Sequence, residues 1–160
     1  MRPLKPSDMP DLTRILYETK AFSQPEIDCA VELLTIVLTD KQQQDYEVIV
    51  AEHQGAVAGY ILFGPVPLTV GNYDIYWVAT DPALHGQGVG RDLFIHTEQV
   101  LIDRGARMIC LETSSQESYG RTRRFYLNAG YTEEARLIDF YRPGDDRLTY
   151  VKRFSLTQEV

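Results

Sequence analysis

Two cysteines, Cys29 and Cys110, are too few for a disulfide framework in a chain of 160 residues. No apolar run approaches the ~18 residues needed to span a bilayer, so no membrane partner is expected. The start, Met1-Arg-Pro-Leu-Lys-Pro-Ser-Asp8, lacks the apolar core of a signal peptide, and a cytoplasmic location is the expectation. Positive charge is in deficit: 16 Lys and Arg stand against 23 Asp and Glu, a net of −7. That balance argues against nucleic acid as a partner. His53, His85 and His96 have no ligand spacing with either cysteine, so no metal is expected. There is no repeat, low-complexity segment or linker, which leaves one domain over residues 1–160.

The charge is unevenly spread. Residues 1–80 hold 5 basic against 11 acidic side chains, a net of −6, while residues 81–160 hold 11 against 12, a net of −1. The basic residues collect in the second half, where they suit an anionic ligand.

Element signals run the length of the chain. Residues 2–5 read as an edge strand. Ser7 or Asp8 caps a helix from Met9 to about Lys20, with Leu12, Ile15 and Leu16 at helical spacing. Pro25 and Glu26 open a second helix, with Ile27, Val31, Leu34 and Leu38 on one side. Residues 46–53 and 56–63 read as strands around a Gln54-Gly55 turn, and 72–80 as a third. A helix follows to about Arg104, stopped by Gly105. Then come a strand at 108–112, a short helix at 120–129 stopped by Gly130, and strands at 131–141 and 148–154 around Pro143-Gly144. The order predicts an α/β (α+β) domain with a mixed central sheet of about six or seven strands and about four helices.

The segment Asp81-Pro-Ala-Leu-His-Gly-Gln-Gly-Val-Gly90 carries the most chemistry. It joins an apolar strand to a helix expected to begin near Arg91. Glycines let successive N–H groups turn toward one point, and a helix N-terminus adds free donors and partial positive charge. This is a phosphate-binding device. No Lys-Ser or Lys-Thr follows, which excludes a Walker-type loop. Gly86, Gly88 and Gly90 fall as G-x-G-x-G with Arg91 next, which is not the dinucleotide fingerprint.

Three segments together resemble the GNAT acetyltransferase superfamily: Val78-Ala-Thr-Asp-Pro82, His85-Gly-Gln-Gly-Val-Gly90 and Arg124-Phe-Tyr-Leu-Asn-Ala-Gly-Tyr131. The element order is similar over nearly the whole chain. Two positions depart from the usual pattern. His85 stands where the family usually has Arg or Gln, and Tyr119 stands where Asn is often found seven residues before Tyr126.

The resemblance implies acetyl-CoA as co-substrate. Val78, Ala79 and Thr80 would pair with its pantetheine arm, and His85, Gly86, Gln87, Gly88, Val89, Gly90 and Arg91 would surround its diphosphate. Tyr119 and Tyr126 would also reach the coenzyme. Acetyl transfer to an amine needs a base, an oxyanion donor and an acid. Asp74 shares a strand face with Tyr76, Val78 and Thr80 and is the first candidate base; Glu112 is the second. The Val78 N–H would meet the oxyanion, and Tyr126 would protonate the leaving thiolate. The acceptor, a small-molecule or peptide amine and perhaps a cationic one, would meet Phe22, Glu26, Trp77, Asp139, Tyr141, Asp145 and Asp146. The Arg121-Thr-Arg-Arg124 cluster is a second candidate anion contact. Cys110 reads as core. A homodimer fits the family habit. Two other functions stay open: a non-catalytic acyl-CoA sensor, and an acyltransferase using another acyl-CoA.

Overall fold

The computed structural model describes residues 1–155. Its strands are β1 (Arg2–Pro3), β2 (Glu47–His53), β3 (Ala56–Pro65), β4 (Asn72–Thr80), β5 (Met108–Ser114), β6 (Thr132–Arg142) and β7 (Asp145–Arg153). Its helices are α1 (Met9–Glu18), α2 (Gln24–Thr39), α3 (Val89–Asp103) and α4 (Gly120–Asn128). Hydrogen bonding orders the strands β1-β2-β3-β4-β5-β7-β6 in one mixed sheet of seven. Among the described residues no helix is long and apolar enough to cross a membrane.

The chain divides into two compact units. The first holds Met1–Gly64 and Tyr76–Val100; the second holds Pro65–Ile75 and the chain from Leu101 onward. Strand β4 contributes to both and changes unit after Ile75.

In the first unit, α1 and α2 send Leu12, Ile15, Leu16, Ile27, Ala30 and Leu34 onto Val48, Val50, Tyr60, Leu62 and Ala79. Strand β3 is buried continuously from Ala58 to Gly64, which its near-continuous apolar run requires. Gln54 and Gly55 both have positive φ, 52° and 82°, the sign that a two-residue hairpin of matching twist demands.

Asp8 does not cap α1 through its side chain, contrary to the sequence reading. Its carboxylate is taken by Arg2, whose Nη1 and Nη2 donate at 2.7 and 2.8 Å, and by the Lys5 N–H at 2.8 Å. Only 2% of Asp8 is exposed. The Arg2 hydrogen bonds, more than any other cause, hold its pKa below the usual carboxylate range. A lowered pKa contributes stability above the unfolded value, which is lost as pH falls through the folded one. Arg2→Met, which strands the carboxylate, is expected to cost about 3 kcal/mol at pH 7. The gap to wild type should be smaller at a pH below that lowered folded pKa, where the carboxylate is protonated with or without Arg2, than at pH 7. Urea unfolding at the two pH values measures it; an equal gap at both would remove Asp8 from the explanation.

In the second unit, β4 pairs in parallel with β5, Asn72 against Met108 and Ile75 against Leu111. The last strand in the chain, β7, lies between β5 and β6 and is antiparallel to both. It begins at Asp145, three residues before the expected start, because Pro143-Gly144 closes a two-residue turn with Gly144 at φ 81°. Cys110 is only half-buried, not core, because its face of β5 is less covered than the Ile109 and Leu111 face.

Candidate active site

The first unit contains the glycine loop. After β4, Asp81 starts a turn over Pro82–Leu84, and the chain passes through His85 to Gly86 at φ 82° and Gly88 at φ 87°. Side chains rarely adopt that region, so these two positions call for glycine. Helix α3 begins at Val89, not near Arg91, and Gly90 is therefore inside its first turn. The first bond of the helix runs from the Asp92 N–H to the Gly88 carbonyl at 2.9 Å. The N–H groups of Val89, Gly90 and Arg91 precede that bond and have no helical acceptor. His85, Gly86, Gln87 and Arg91 are exposed.

The loop leaves room for a diphosphate. A Cβ built on Gly86 or Gly88 meets nothing within 4 Å, so the space against both residues is open. Gly55 has nearly the same φ and the same open surroundings in the β2–β3 hairpin. The pair makes a matched test. Gly88→Ala is expected to weaken CoA binding about tenfold, whereas Gly55→Ala carries the same backbone strain of about 1–2 kcal/mol and leaves affinity unchanged. Calorimetry with CoA decides it; equal affinities in the two variants would dissolve the cradle.

Strand β4 leads into this loop. Ala79 turns its side chain into the core with α1 and α2 and can offer a ligand only its backbone. Val78 and Thr80 alternate to the opposite face. The registered pairing with β5 covers Asn72 to Ile75 and stops there, although β4 runs on to Thr80. Among the described residues, backbone beyond Ile75 has no register partner on that edge. Trp77, a candidate acceptor contact, packs against the α1–α2 core, its ring 5.2 Å from that of Phe22. Glu26 is also spent on structure: its carboxylate accepts the Ser23 N–H and hydroxyl at 2.7 and 2.6 Å, a capping box for α2.

The second unit contains both candidate bases and the candidate acid. Asp74 is partly buried, and desolvation first, then the charge of Glu112, pushes its pKa up. Its register partner is Cys110, which puts Glu112 two residues further along the same face of β5. Glu112 is more exposed, at 47%, and lies 3.3 Å from the Arg147 Nε. A group poised upward and free of a cation is the better base, so the surroundings favour Asp74.

Tyr126 lies on α4, its ring 5.7 Å from Tyr150 and 6.4 Å from Tyr131. The residue as a whole is partly exposed, but its hydroxyl sits in dense surroundings. Desolvation there, reinforced by Tyr119 and Tyr150, pushes the phenol well up. Tyr119 stands at the N-cap of α4, two turns before Tyr126 and on the same side. Of the arginine cluster, Arg123 is occupied: its Nη1 donates to the carbonyls of Ser114 at 2.8 Å and Gln116 at 2.7 Å. Arg121 and Arg124 are exposed.

The β6–β7 hairpin keeps its charges for itself. Asp139 accepts the Gly144 N–H at 2.7 Å, Asp145 accepts from Ser114 and faces Arg142, and Asp146 pairs with Arg136 at 2.9 Å. The ring of Phe140 is covered by Arg147 at 4.4 Å. A cationic acceptor would have to displace these arginines, so the hairpin is not the open anionic site its composition predicts. Tyr141 remains exposed. Among the described residues no group of three His, Cys, Asp or Glu side chains is placed to hold a metal.

Comparison with known proteins gives the family. A model described as the acetyltransferase (GNAT) domain matches residues 44–133. A structure from Desulfovibrio desulfuricans assigned to the GNAT acetyltransferases is 36% identical, covering 95% of this chain and 96% of that one at a TM-score of 0.90. An aminoglycoside 6'-N-acetyltransferase complexed with coenzyme A is 16% identical, with 96% and 97% coverage and a TM-score of 0.75. The ribosomal-protein-S18-alanine N-acetyltransferase from Escherichia coli is 21% identical, with 99% and 95% coverage and a TM-score of 0.73. The last two share the fold. No curated protein matches the chain. Domain match, identity and shared fold agree: the chain belongs to the GNAT acetyltransferase family.

Proposed function

We propose that the protein transfers an acetyl group from acetyl-CoA to a primary amine of a small molecule or peptide, by direct attack in a ternary complex. The observation that carries this is the run of two left-handed glycines into the open N-terminus of α3, in a member of this family. Such a loop meets an anion with N–H groups and needs no side chain. Bound there, acetyl-CoA supplies the activated acetyl thioester. Gly86 to Arg91 hold its diphosphate, and the Val78 and Thr80 backbone holds its pantetheine arm.

The remaining roles belong to four groups. Asp74 accepts the amine proton, directly or through water, and Glu112 stands second. The Val78 N–H meets charge growing on the carbonyl oxygen. Tyr126 donates a hydrogen bond to the departing sulfur, with Tyr119 beside it. The acceptor is read as an amine because relatives of this fold are named for amine substrates, an aminoglycoside in one case and a ribosomal-protein alanine in another. A cationic amine is preferred, because the first two helices carry exposed Asp11, Asp28 and Glu32.

The test is thiol release from acetyl-CoA across a panel of cationic amines, peptide N-termini and acidic amino acids. Turnover with cationic amines ahead of acidic ones is expected. Coenzyme binding without turnover across the panel would point to a sensor, and turnover only with a longer acyl-CoA would replace the donor.

A further inference from the structure

Asp81, the residue between β4 and the glycine loop, is 8% exposed, and its two carboxylate oxygens have separate partners. Oδ1 accepts the Ala83 N–H at 2.9 Å. Oδ2 accepts from Arg14 Nη2, on α1, at 2.8 Å. The Asp81 N–H donates to the Ala58 carbonyl of β3 at 2.8 Å, and its own carbonyl accepts the Leu84 N–H at 2.9 Å. Two more turn bonds follow, His85 N–H to Pro82 O at 3.2 Å and Gln87 N–H to Leu84 O at 3.1 Å. Asp81 therefore anchors the start of the chain's path from β4 to Gly86 and Gly88.

Arg14 is itself fixed. Its Nη1 donates to Glu18 at 2.6 Å, and its Nε lies 3.9 Å from Asp11, each one helical turn away. A guanidinium already flanked by two carboxylates loses little freedom by binding a third. The charge-assisted bond to Asp81 then transmits the position of α1 to the turn.

We propose that Arg14 is a positioning residue for the coenzyme, acting through Asp81 to hold the turn that aims the loop amides. The inference rests on the acetyl-CoA reading above. Without Arg14 the Asp81 carboxylate loses its ion-pair partner in a place with little water. It must rotate toward solvent and release the Ala83 N–H. The turn then samples other paths, and the diphosphate has to order it on binding. That cost falls on ground state and transition state alike, so it enters affinity and not turnover.

Arg14→Gln is expected to raise the CoA Kd and the acetyl-CoA KM about five- to tenfold, with kcat within twofold of wild type. Amide hydrogen exchange at Ala83, Leu84 and Gln87 should accelerate. Arg14→Lys, which keeps the charge, should recover part of the affinity. Glu18→Gln removes another partner of Arg14 but leaves the bond to Asp81, and should cost clearly less affinity than Arg14→Gln. A staple that served stability alone would lower Tm in Arg14→Gln without moving Kd, KM or exchange at these amides, and that result overturns the proposal. Equal loss of affinity in Glu18→Gln overturns it too. A wild-type protein that binds no CoA overturns the acetyl-CoA reading, and the coenzyme role of Arg14 with it; exchange at residues 83–87 shows in the same experiment whether Arg14 holds the turn.

Discussion

Asp74→Asn is expected to lower kcat/KM with an amine acceptor by about two to three orders of magnitude. An unperturbed alkylamine titrates near 10.4, so the neutral form costs roughly 4–5 kcal/mol at pH 7. A base aimed at that proton recovers a large part of this. Burial and the neighbouring Glu112 raise the Asp74 pKa above the usual carboxylate range, which makes it a stronger base than an exposed carboxylate. The sign of the pH dependence follows. Only the ionised form can take a proton, so kcat/KM must rise with pH through the raised pKa. In Asp74→Asn that rise should vanish, leaving only the acceptor's own titration. Glu112→Gln gives the complementary result. It removes the like charge, so the rising limb moves to lower pH while the plateau changes by less than about threefold. A larger loss in Glu112→Gln than in Asp74→Asn would exchange the two assignments.

The sequence carried the order of elements because each has a local signal. Helical spacing placed α1 and α2, alternating glycines marked the loop, and Gly105 and Gly130 stopped α3 and α4. The beginning of α3 was misjudged by two residues because Gly90, a poor helix former, sits in a first turn whose N–H groups need no helical partner. Long-range partners were invisible. Nothing local says that Asp8 belongs to Arg2, that Arg123 is held by two carbonyls, or that Arg14 reaches a residue 67 positions away. The acceptor-site reading suffered most from this. Aromatics and carboxylates in one hairpin suggested a cation site, but Arg136, Arg142 and Arg147 already meet that charge and that ring once β7 pairs with β6 and β5. Composition counts charges; only the fold says which are spent. The left-handed turns at Gly86 and Gly88 were easier to read, because positive φ favours glycine, although Gly90 beside them is helical.

Tyr126→Phe is expected to lower turnover by one to two orders of magnitude, roughly 1.4–2.8 kcal/mol, with CoA affinity and Tm nearly unchanged. The ring contacts with Tyr131 and Tyr150 survive the change, so the loss reports the hydroxyl alone. Desolvation pushes the phenol above its ordinary pKa, which has two consequences. The hydroxyl is protonated at every pH the enzyme meets, so a donor is always present. It is also a weaker acid than the thiol it serves, whose pKa is about 8.5, so complete transfer to the thiolate runs uphill. On the proposed mechanism Tyr126 would then act by holding a hydrogen bond to the sulfur as charge develops, and the thiolate would take its proton later from water. This bounds the effect to the worth of one charge-assisted hydrogen bond, which is why two orders of magnitude is the ceiling. It also fixes the pH behaviour. Tyr126 does not titrate in the working range, so removing its hydroxyl should scale the whole kcat profile down without moving either limb. A variant whose alkaline limb shifts would show that the phenol ionises during the cycle, and wild-type turnover would take Tyr126 out of the reaction altogether.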